Sequence, residues 1–207
     1  VLIACVPSAA IVGLLGLTVW ISFQVDVVQP IPTLEHYLQL YTDPFAFGAM
    51  LNTLGFAGVS LVFAVVIGLP MAWLTERTNL PGKSLIPTLV TMGLLIPGFF
   101  GAMGWILLLS PRIGVINTLL KNLLHGSTAP IDITTVPGMG FVLGIGLAGL
   151  VWVFTSGSLR AMDPSLEESA MMSGASFLTS LRRITFPLAW PGLLAASLFV
   201  ITIGMST

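Results

Sequence analysis

Five long windows without a charged residue divide this sequence and limit what the chain can fold into. Each is long enough for the ~20 apolar residues with which a helix crosses the ~30 Å hydrocarbon core of a bilayer. Apolar residues run continuously through the windows and do not alternate, and a lipid-exposed span must satisfy its own backbone hydrogen bonds, so the pattern predicts helices. The windows are residues 1–25, 44–75, 84–111, 133–159 and 184–207.

The composition supports a membrane protein and argues against several other classes. Hydrophobic residues make up 56% of the chain and charged residues 7%, so a soluble globule could not cover its exterior with polar groups. The net charge of −1, without a basic run, argues against a nucleic-acid partner. The single Cys5 offers neither an intrachain disulfide nor a Cys-based metal site. We therefore predict an all-α polytopic bundle of about five transmembrane helices.

The windows also suggest how the chain is organised. Residues 1–47 contain the first span and an outer loop, and residues 48–207 contain the remaining spans. The first window lacks an initiator methionine, a basic segment and a small-residue cleavage site, which argues against a secretory signal. The last window stops at Thr207 inside an apolar run, so we expect both ends to be cut and the chain to be a fragment.

The distribution of lysine and arginine predicts the orientation of the spans. Placing the N-terminal end in the cytoplasm puts five basic residues in cytoplasmic loops and two in external ones. The first external loop then contains no basic residue but carries Asp26, Glu35 and Asp43, as suits an outer face. The five cytoplasmic residues are Arg77, Lys83, Arg160, Arg182 and Arg183, and the two external ones are Arg112 and Lys121.

Each external loop is predicted to contain a short helix on the membrane surface. Leu34, Tyr37, Leu38 and Tyr41 recur at helical spacing in the first loop. In the second, a stripe of apolar residues from Val115 would be ended by Gly126. We expect these helices to cover the outer mouth of the bundle. His36 and His125 lie in these loops without Cys or carboxylate neighbours at ligand spacing, so we interpret them as surface residues and predict no metal site.

A polar stretch at residues 160–187 separates the last two windows. Six charged residues of this charge-poor chain lie there: Arg160, Asp163, Glu167, Glu168, Arg182 and Arg183. Asp163 and Pro164 are typical of a helix start, and Gly174 of a helix end. Ser176 can cap a second short helix, with Arg182 and Arg183 near its C-terminal end and Pro187 breaking the chain before the next span. The stretch is either a docking site for a soluble protein or merely a well-capped loop.

The spacing within this stretch resembles a known family. Glu168-Ser169-Ala170, three residues, Gly174, nine residues and Ile184-Thr185-Phe186-Pro187 are similar to the Glu-Ala-Ala loop of permease subunits of binding-protein-dependent ABC importers. Ser169 replaces the middle alanine of the family pattern, and Phe186 replaces its leucine. The sequences Asn52-Thr53-Leu54, Leu69-Pro70-Met71-Ala72-Trp73 and Arg77-Thr78-Asn79-Leu80-Pro81-Gly82 also resemble the family, especially its ferric-iron, polyamine, thiamine and phosphonate branches.

The resemblance implies the type I permease fold and a role in coupling transport to ATP hydrolysis on a separate subunit. In the family, two short cytoplasmic helices fit a groove on that ATPase. The resemblance places Glu168 in a polar contact with the ATPase, Gly174 at the angle between the helices, and Ala170, Met171 and Met172 on an apolar docking face. We assign coupling to Glu168, Ser169, Ala170, Met171, Gly174, Arg182, Arg183, Ile184 and Pro187.

The resemblance also implies partners and a location. The expected partners are cytoplasmic ATP-binding subunits, an extracytoplasmic substrate-binding protein and a second permease unit, which could be an identical copy, a paralogue or a fused half. The location would be the bacterial cytoplasmic membrane. The chain itself has no Gly-x-x-x-x-Gly-Lys-Ser/Thr sequence, so we expect ATP on the partner and no cofactor here. A second loop of the same pattern is expected beyond Thr207.

Candidate residues of the translocation path are fewer. Pro97 and Gly98 interrupt the third window and could free backbone carbonyls to line a path, or could simply allow close helix packing. Asn52, near the outer end of the second window, could contact substrate, cap its helix or bond a neighbour. Ferric iron, a small organic cation or a phosphonate are the expected substrates.

Two other classes of function are worth comparing. An intramembrane enzyme would need ionisable or nucleophilic groups at membrane depth, and the five windows contain no Asp, Glu, His, Lys or Arg. A passive channel or a secondary transporter would share the spans but would have no reason to carry the loop at residues 160–187. The sequence therefore favours a transport component that is not an enzyme.

Overall fold

A computed structural model describes residues 2–24, 31–124 and 129–207, with only the backbone described for residues 2–8. Asp26, His125, Gly126 and the side chain of Cys5 lie outside this description. Two compact units divide the chain, Val1–Leu51 and Asn52–Thr207.

The described residues are almost entirely helical, which confirms the all-α prediction. Among them, β pairing is limited to a single bridge between Gln24 and Pro32. The helices are α1 (Leu2–Ser22), α2 (Glu35–Thr42), α3 (Pro44–Arg77), α4 (Ile86–Leu95), α5 (Gly98–Leu109), α6 (Val115–Leu124), α7 (Val136–Ala161), α8 (Ser165–Met172), α9 (Phe177–Ser180) and α10 (Phe186–Ser206). A 3₁₀ turn at Lys83–Leu85 precedes α4, and a π-helical turn at Leu181–Thr185 joins α9 to α10.

Three helices of the described chain are long and apolar enough to cross a membrane by themselves. They are α3, α7 and the continuous helix Phe177–Ser206, and they match the second, fourth and fifth windows. The third window forms two helices, α4 with its preceding turn and α5, which meet at an angle of 95°. This pair is either a broken span or a re-entrant loop. The first window forms α1, in which Ala9–Ser22 is the part described with side chains.

The sharp bend between α4 and α5 has a local cause. Ile96 and Pro97 have extended backbone conformations, with ψ of 122° and 132°. Because Pro97 lacks an N–H and disfavours a helical conformation at the residue before it, α4 ends there and α5 restarts at Gly98.

The first unit holds the predicted outer-loop helix. α2 covers Glu35–Thr42, so the helical spacing of its apolar residues predicted it correctly. The Tyr37 hydroxyl lies 2.7 Å from the Ser22 hydroxyl oxygen, and the Tyr37 ring packs 5.3 Å from that of Phe23. These contacts connect α2 to the end of α1.

The second unit is built around α3, α7 and α10. Small residues let these helices approach closely, because bulk lipid gives apolar helices no hydrophobic reason to associate and close packing must hold them. A Cβ on Gly144 would lie 2.6 Å from the Cβ of Phe63 and 2.7 Å from the Ser60 carbonyl oxygen. Two buried clusters fill the interface: Ala64, Val151, Leu193, Ala196 and Val200, and then Ala72, Trp152, Leu159, Met162 and Ala189.

A buried asparagine of α6 lies near the end of α7 that is farther from α8. It connects the chain before α6 to the chain after it. Asn117 is 1% exposed and donates to the carbonyl oxygens of Leu109 at 2.6 Å and Ile131 at 2.8 Å. Its own side-chain oxygen accepts from the Ile131 amide at 3.2 Å. Because its side-chain donor and acceptor are both satisfied, we interpret Asn117 as a structural clamp. α6 itself confirms the helix that was predicted in this loop.

Candidate coupling surface

The polar stretch forms a short, well-defined helix at the end of α7. α8 runs from Ser165 to Met172. A side-chain oxygen of Asp163 accepts a hydrogen bond from the Ser165 amide at 2.9 Å, which supports the predicted helix start. That bond stabilises the carboxylate and lowers the pKa of Asp163 below its ordinary value. Glu167 and Glu168 lie in the first turn, where negative charge suits the helix dipole.

The glycine at the end of α8 has the conformation that the sequence predicted. Gly174 has φ +87°, in the left-handed region that favours glycine. The Ala175 amide donates to the Ala170 carbonyl, and the Gly174 amide to the Met171 carbonyl, both at 3.0 Å. These two bonds form a complete Schellman motif, so the chain reverses direction sharply after α8.

The second helix of the stretch differs from the prediction. Ser176 does cap it, accepting from the Thr179 amide at 3.3 Å. The prediction that Pro187 breaks the chain is wrong, because Phe177–Ser206 is one continuous helix. The π-helical turn at Leu181–Thr185 lies directly before the proline: the Phe186 amide donates to the Leu181 carbonyl five residues earlier, and Pro187, which has no N–H to donate, follows this wider turn.

Arg182 and Arg183 therefore lie inside a continuous helix and not at the C-terminal end of a separate one. Both are exposed, as is Pro187, while Ile184 is partly buried. On α8, Glu168, Ser169 and Met171 are exposed and Ala170 is partly buried. Met172 is 90% exposed.

Glu167 is not among the predicted site residues, but it has several partners in the structure. Its two carboxylate oxygens each lie 3.3 Å from Nε of Arg77, the last residue of α3. The Thr185 hydroxyl donates to the same carboxylate at 2.5 Å. Arg77 also donates to the carbonyl oxygens of Leu159 at 2.9 Å and Met162 at 3.3 Å.

A second ion pair lies beside the first. Arg160, near the end of α7, contacts Glu76 of α3 at 2.8 Å, and the Arg160 side chain is 59% exposed. An edge contact between the rings of Trp73 and Phe177, with centroids 5.6 Å apart, also joins α3 to the helix after the glycine turn. The end of α3 therefore contacts α7, α8 and α9.

The candidate path residues are not brought together by any described hydrogen bond. Asn52 is an exposed residue of α3, and Pro97 and Gly98 are exposed at the bend between α4 and α5.

The side chain of His36 lies 3.1 Å from the Gln24 carbonyl oxygen. Within the described ranges, no group of three His, Cys, Asp or Glu residues could hold a metal ion.

Comparison with known proteins adds independent information. A scan against models of protein families finds no match. The spermidine/putrescine transport system permease protein PotB of Escherichia coli K12 is 30% identical over 211 residues, which cover 97% of this chain and 71% of PotB. The trehalose/maltose transport system permease protein MalF of Thermococcus litoralis is 28% identical over 190 residues, covering 86% of this chain and 62% of MalF.

A solved structure shares the fold. A chain of a bacterial alginate ABC transporter, crystallised in complex with an alginate pentasaccharide-bound periplasmic protein, superposes with a TM-score of 0.69 at 22% identity over 96% of this chain and 70% of that chain. The long apolar helices agree with this fold and make the chain a multi-pass membrane protein. By its relationship to PotB across nearly its whole length, the chain belongs to the permease subunits of ABC importers.

Proposed function

We propose that this chain forms part of the translocation path of an importer and couples it to a separate ATP-hydrolysing subunit through α8 and the turn at Gly174. The observation that carries the proposal is the exposure of α8: Met172 is 90% exposed, and Glu168 and Met171 beside it are also exposed. A flexible methionine pair next to a carboxylate suits an adaptable, partly apolar groove.

The mechanism requires no chemistry in this chain. ATP binding and hydrolysis on the partner would move α8, and the spanning helices would alternate between inward-open and outward-open arrangements. Glu168 would make the polar contact with the ATPase, and Gly174 would set the direction in which the chain leaves the groove. Coupling can be only as large as the partner's difference in affinity for the two arrangements.

The same proposal places α8 in the cytoplasm of a bacterial cell. The basic residues Arg77, Arg160, Arg182 and Arg183 all lie at the α8 end of the bundle, as the positive-inside rule expects for the cytoplasmic side. The other partners would be a second permease unit, which closes the path, and an extracytoplasmic binding protein. The alginate transporter, solved with its periplasmic protein, supports this arrangement.

For the substrate, we propose a small organic cation of the polyamine type. PotB, a spermidine/putrescine permease, aligns with 97% of this chain. A sugar is the second candidate because MalF aligns with 86%. Neither PotB nor MalF supports ferric iron, thiamine or phosphonate.

Co-purification tests the proposed coupling. The full-length protein is tagged and co-expressed with the ATP-binding subunit of the same transport system. We expect the ATPase to co-purify with the wild type and to be lost in Glu168→Lys, which reverses the charge of the contact, and in Gly174→Trp, which is strained at φ +87°. Asp132→Asn, which alters an exposed carboxylate before α7, serves as the control. A wild-type protein that conducts substrate alone, without an ATPase, would contradict the proposal.

A further inference from the structure

Three helices meet at the side chain of Arg77. Arg77 ends α3, pairs with Glu167 of α8, and donates to the carbonyl oxygens of Leu159 in α7 and Met162 just beyond it. The Arg77 side chain is 9% exposed and that of Glu167 is 16% exposed, so both charges are largely removed from water. Hydrogen bonds from the protein therefore replace much of the water around the Arg77–Glu167 pair.

Thr185 extends the contact to the last spanning helix. It is 4% exposed, lies in the π-helical turn before α10, and donates its hydroxyl hydrogen to Glu167 at 2.5 Å. A single carboxylate on α8 therefore contacts α3 by an ion pair and the start of α10 by a hydrogen bond. Through Arg77 it is also linked to the end of α7.

Physical chemistry makes this junction stiff. Separating a largely buried ion pair leaves a poorly compensated charge, which costs more than separating an exposed pair. If α8 moved while α3, α7 and α10 stayed in place, several of these contacts would have to break together. Moving all the elements as one body avoids this.

We propose that Arg77, Glu167 and Thr185 are positioning residues that fix α8 to the three spanning helices, so that displacement of α8 is transmitted to all of them. The inference rests on the proposed function, in which α8 is the element that the ATPase contacts. It assigns different roles to two neighbouring carboxylates: Glu168 faces the partner, and Glu167 transmits the movement.

The adjacent ion pair offers a matched control. Glu76 precedes Arg77 and pairs with Arg160 of α7, but neither residue has a described polar contact with α8. Glu76→Gln and Glu167→Gln therefore make the same chemical change in two different ion pairs. Glu167 pairs with Arg77, whereas Glu76 is the neighbour of Arg77 in the chain and pairs with Arg160. Thr185→Val removes the hydroxyl at nearly constant shape, and Thr185→Ser retains it.

The experiment uses the complete importer in proteoliposomes and measures substrate uptake and ATP hydrolysis in the same preparation. We expect Glu167→Gln and Thr185→Val to keep the ATPase bound but to lower the uptake per ATP by about tenfold, within the usual range of a coupling free energy. Glu76→Gln and Thr185→Ser are expected to stay within about twofold of the wild type, because they break only a partly exposed pair or preserve the hydroxyl.

The possible outcomes separate this inference from the proposed function. A wild-type protein that never binds an ATPase would defeat the proposed function itself. Unchanged uptake per ATP in both Glu167→Gln and Thr185→Val, with the ATPase bound, would overturn the positioning role alone. Loss of the ATPase from Glu167→Gln would also overturn it, since Glu167 would then belong to the docking contact. An equal loss of coupling in Glu76→Gln would also overturn it, since direct contact with α8 would then not be what distinguishes Glu167 from Glu76.

Discussion

The side chain of Asp163 accepts a hydrogen bond from the amide of Ser165, the residue at which α8 begins. The amides at a helix start lack partners within the helix, so a carboxylate placed there satisfies one of them. The bond from the Ser165 amide favours the ionised form and lowers the pKa of Asp163. The start of α8 is therefore linked to the protonation of one exposed group.

This linkage predicts how the start of α8 responds to acid. Because the pKa of Asp163 is lower in the folded protein than in the unfolded chain, its contribution is complete above the ordinary value of about 4 and is lost as the pH falls through the lower folded value. We expect amide exchange at residues 165–168, corrected for intrinsic rates, to accelerate in that range.

Asp163→Asn provides the control for this measurement. Asparagine keeps an oxygen that can accept the Ser165 amide but does not titrate, so the variant should lose the acid-dependent part of the change. The variant is needed because α8 carries two further carboxylates, Glu167 and Glu168, in its first turn. An identical acid response in Asp163→Asn would show that Asp163 is not its cause.

Glu167 and Glu168 show which residue roles a sequence can and cannot reveal. The motif spacing correctly indicated a helix, a glycine turn at Gly174 and a cap at Ser176, because each depends on residues close in sequence. The inward position of Glu167 depends on Arg77, ninety residues earlier in the chain. In a short helix that is exposed on several sides, the local pattern does not indicate which of two adjacent carboxylates faces inward.

Proline had different effects at two helix junctions, so the presence of a proline did not predict whether a helix ends. Pro97 ends α4, and the chain bends by 95° before α5. Pro187 does not end its helix, which continues through a π-helical turn directly before the proline. The difference arises from backbone hydrogen bonds around each proline, which residue type alone does not specify.

Two glycines of α7 allow a sharp test of how the spanning helices pack. A Cβ on Gly144 would lie 2.6 Å from that of Phe63 in α3, whereas a Cβ on Gly146 would meet nothing within 4 Å. We expect Gly144→Ala to destabilise the protein by roughly 1–3 kcal/mol, because the helices must move apart. Gly146→Ala should be neutral or slightly stabilising, since alanine favours helix more than glycine does. Thermal unfolding in detergent compares the two, and equal losses would mean that α3 and α7 do not pack at Gly144.

For the whole molecule, the sequence correctly predicted that long apolar windows become helices, but not which of their faces meet. In a membrane both the lipid-facing and the core-facing sides of a helix are apolar, so hydrophobicity gives no clear inner face. Small residues determine the contacts here: Ala64, Ala72, Ala148, Ala189 and Ala196 are all buried. Their neighbours on α3, α7 and α10 can be identified only once the helices are assembled.

The orientation of the assembled bundle gives the last prediction. α7 contains 26 residues and is therefore ~39 Å long, enough to cross the ~30 Å hydrocarbon core. Thr134 precedes it, Ser169 follows it in α8, and both are exposed. The two positions should consequently lie on opposite sides of the membrane, with Ser169 in the cytoplasm.

Single cysteines at these positions can be labelled because the chain has one native cysteine to remove. In a Cys5→Ser background, we expect a membrane-impermeant maleimide to label Thr134→Cys in cells whose outer surface is accessible, and Ser169→Cys only after the membrane is opened. The reverse pattern would put α8 outside the cell, where no ATP-hydrolysing subunit could reach it. Labelling of both positions from one side would mean that α7 does not cross the bilayer. The proposed transmission of movement from α8 to the spanning helices would then need a different explanation.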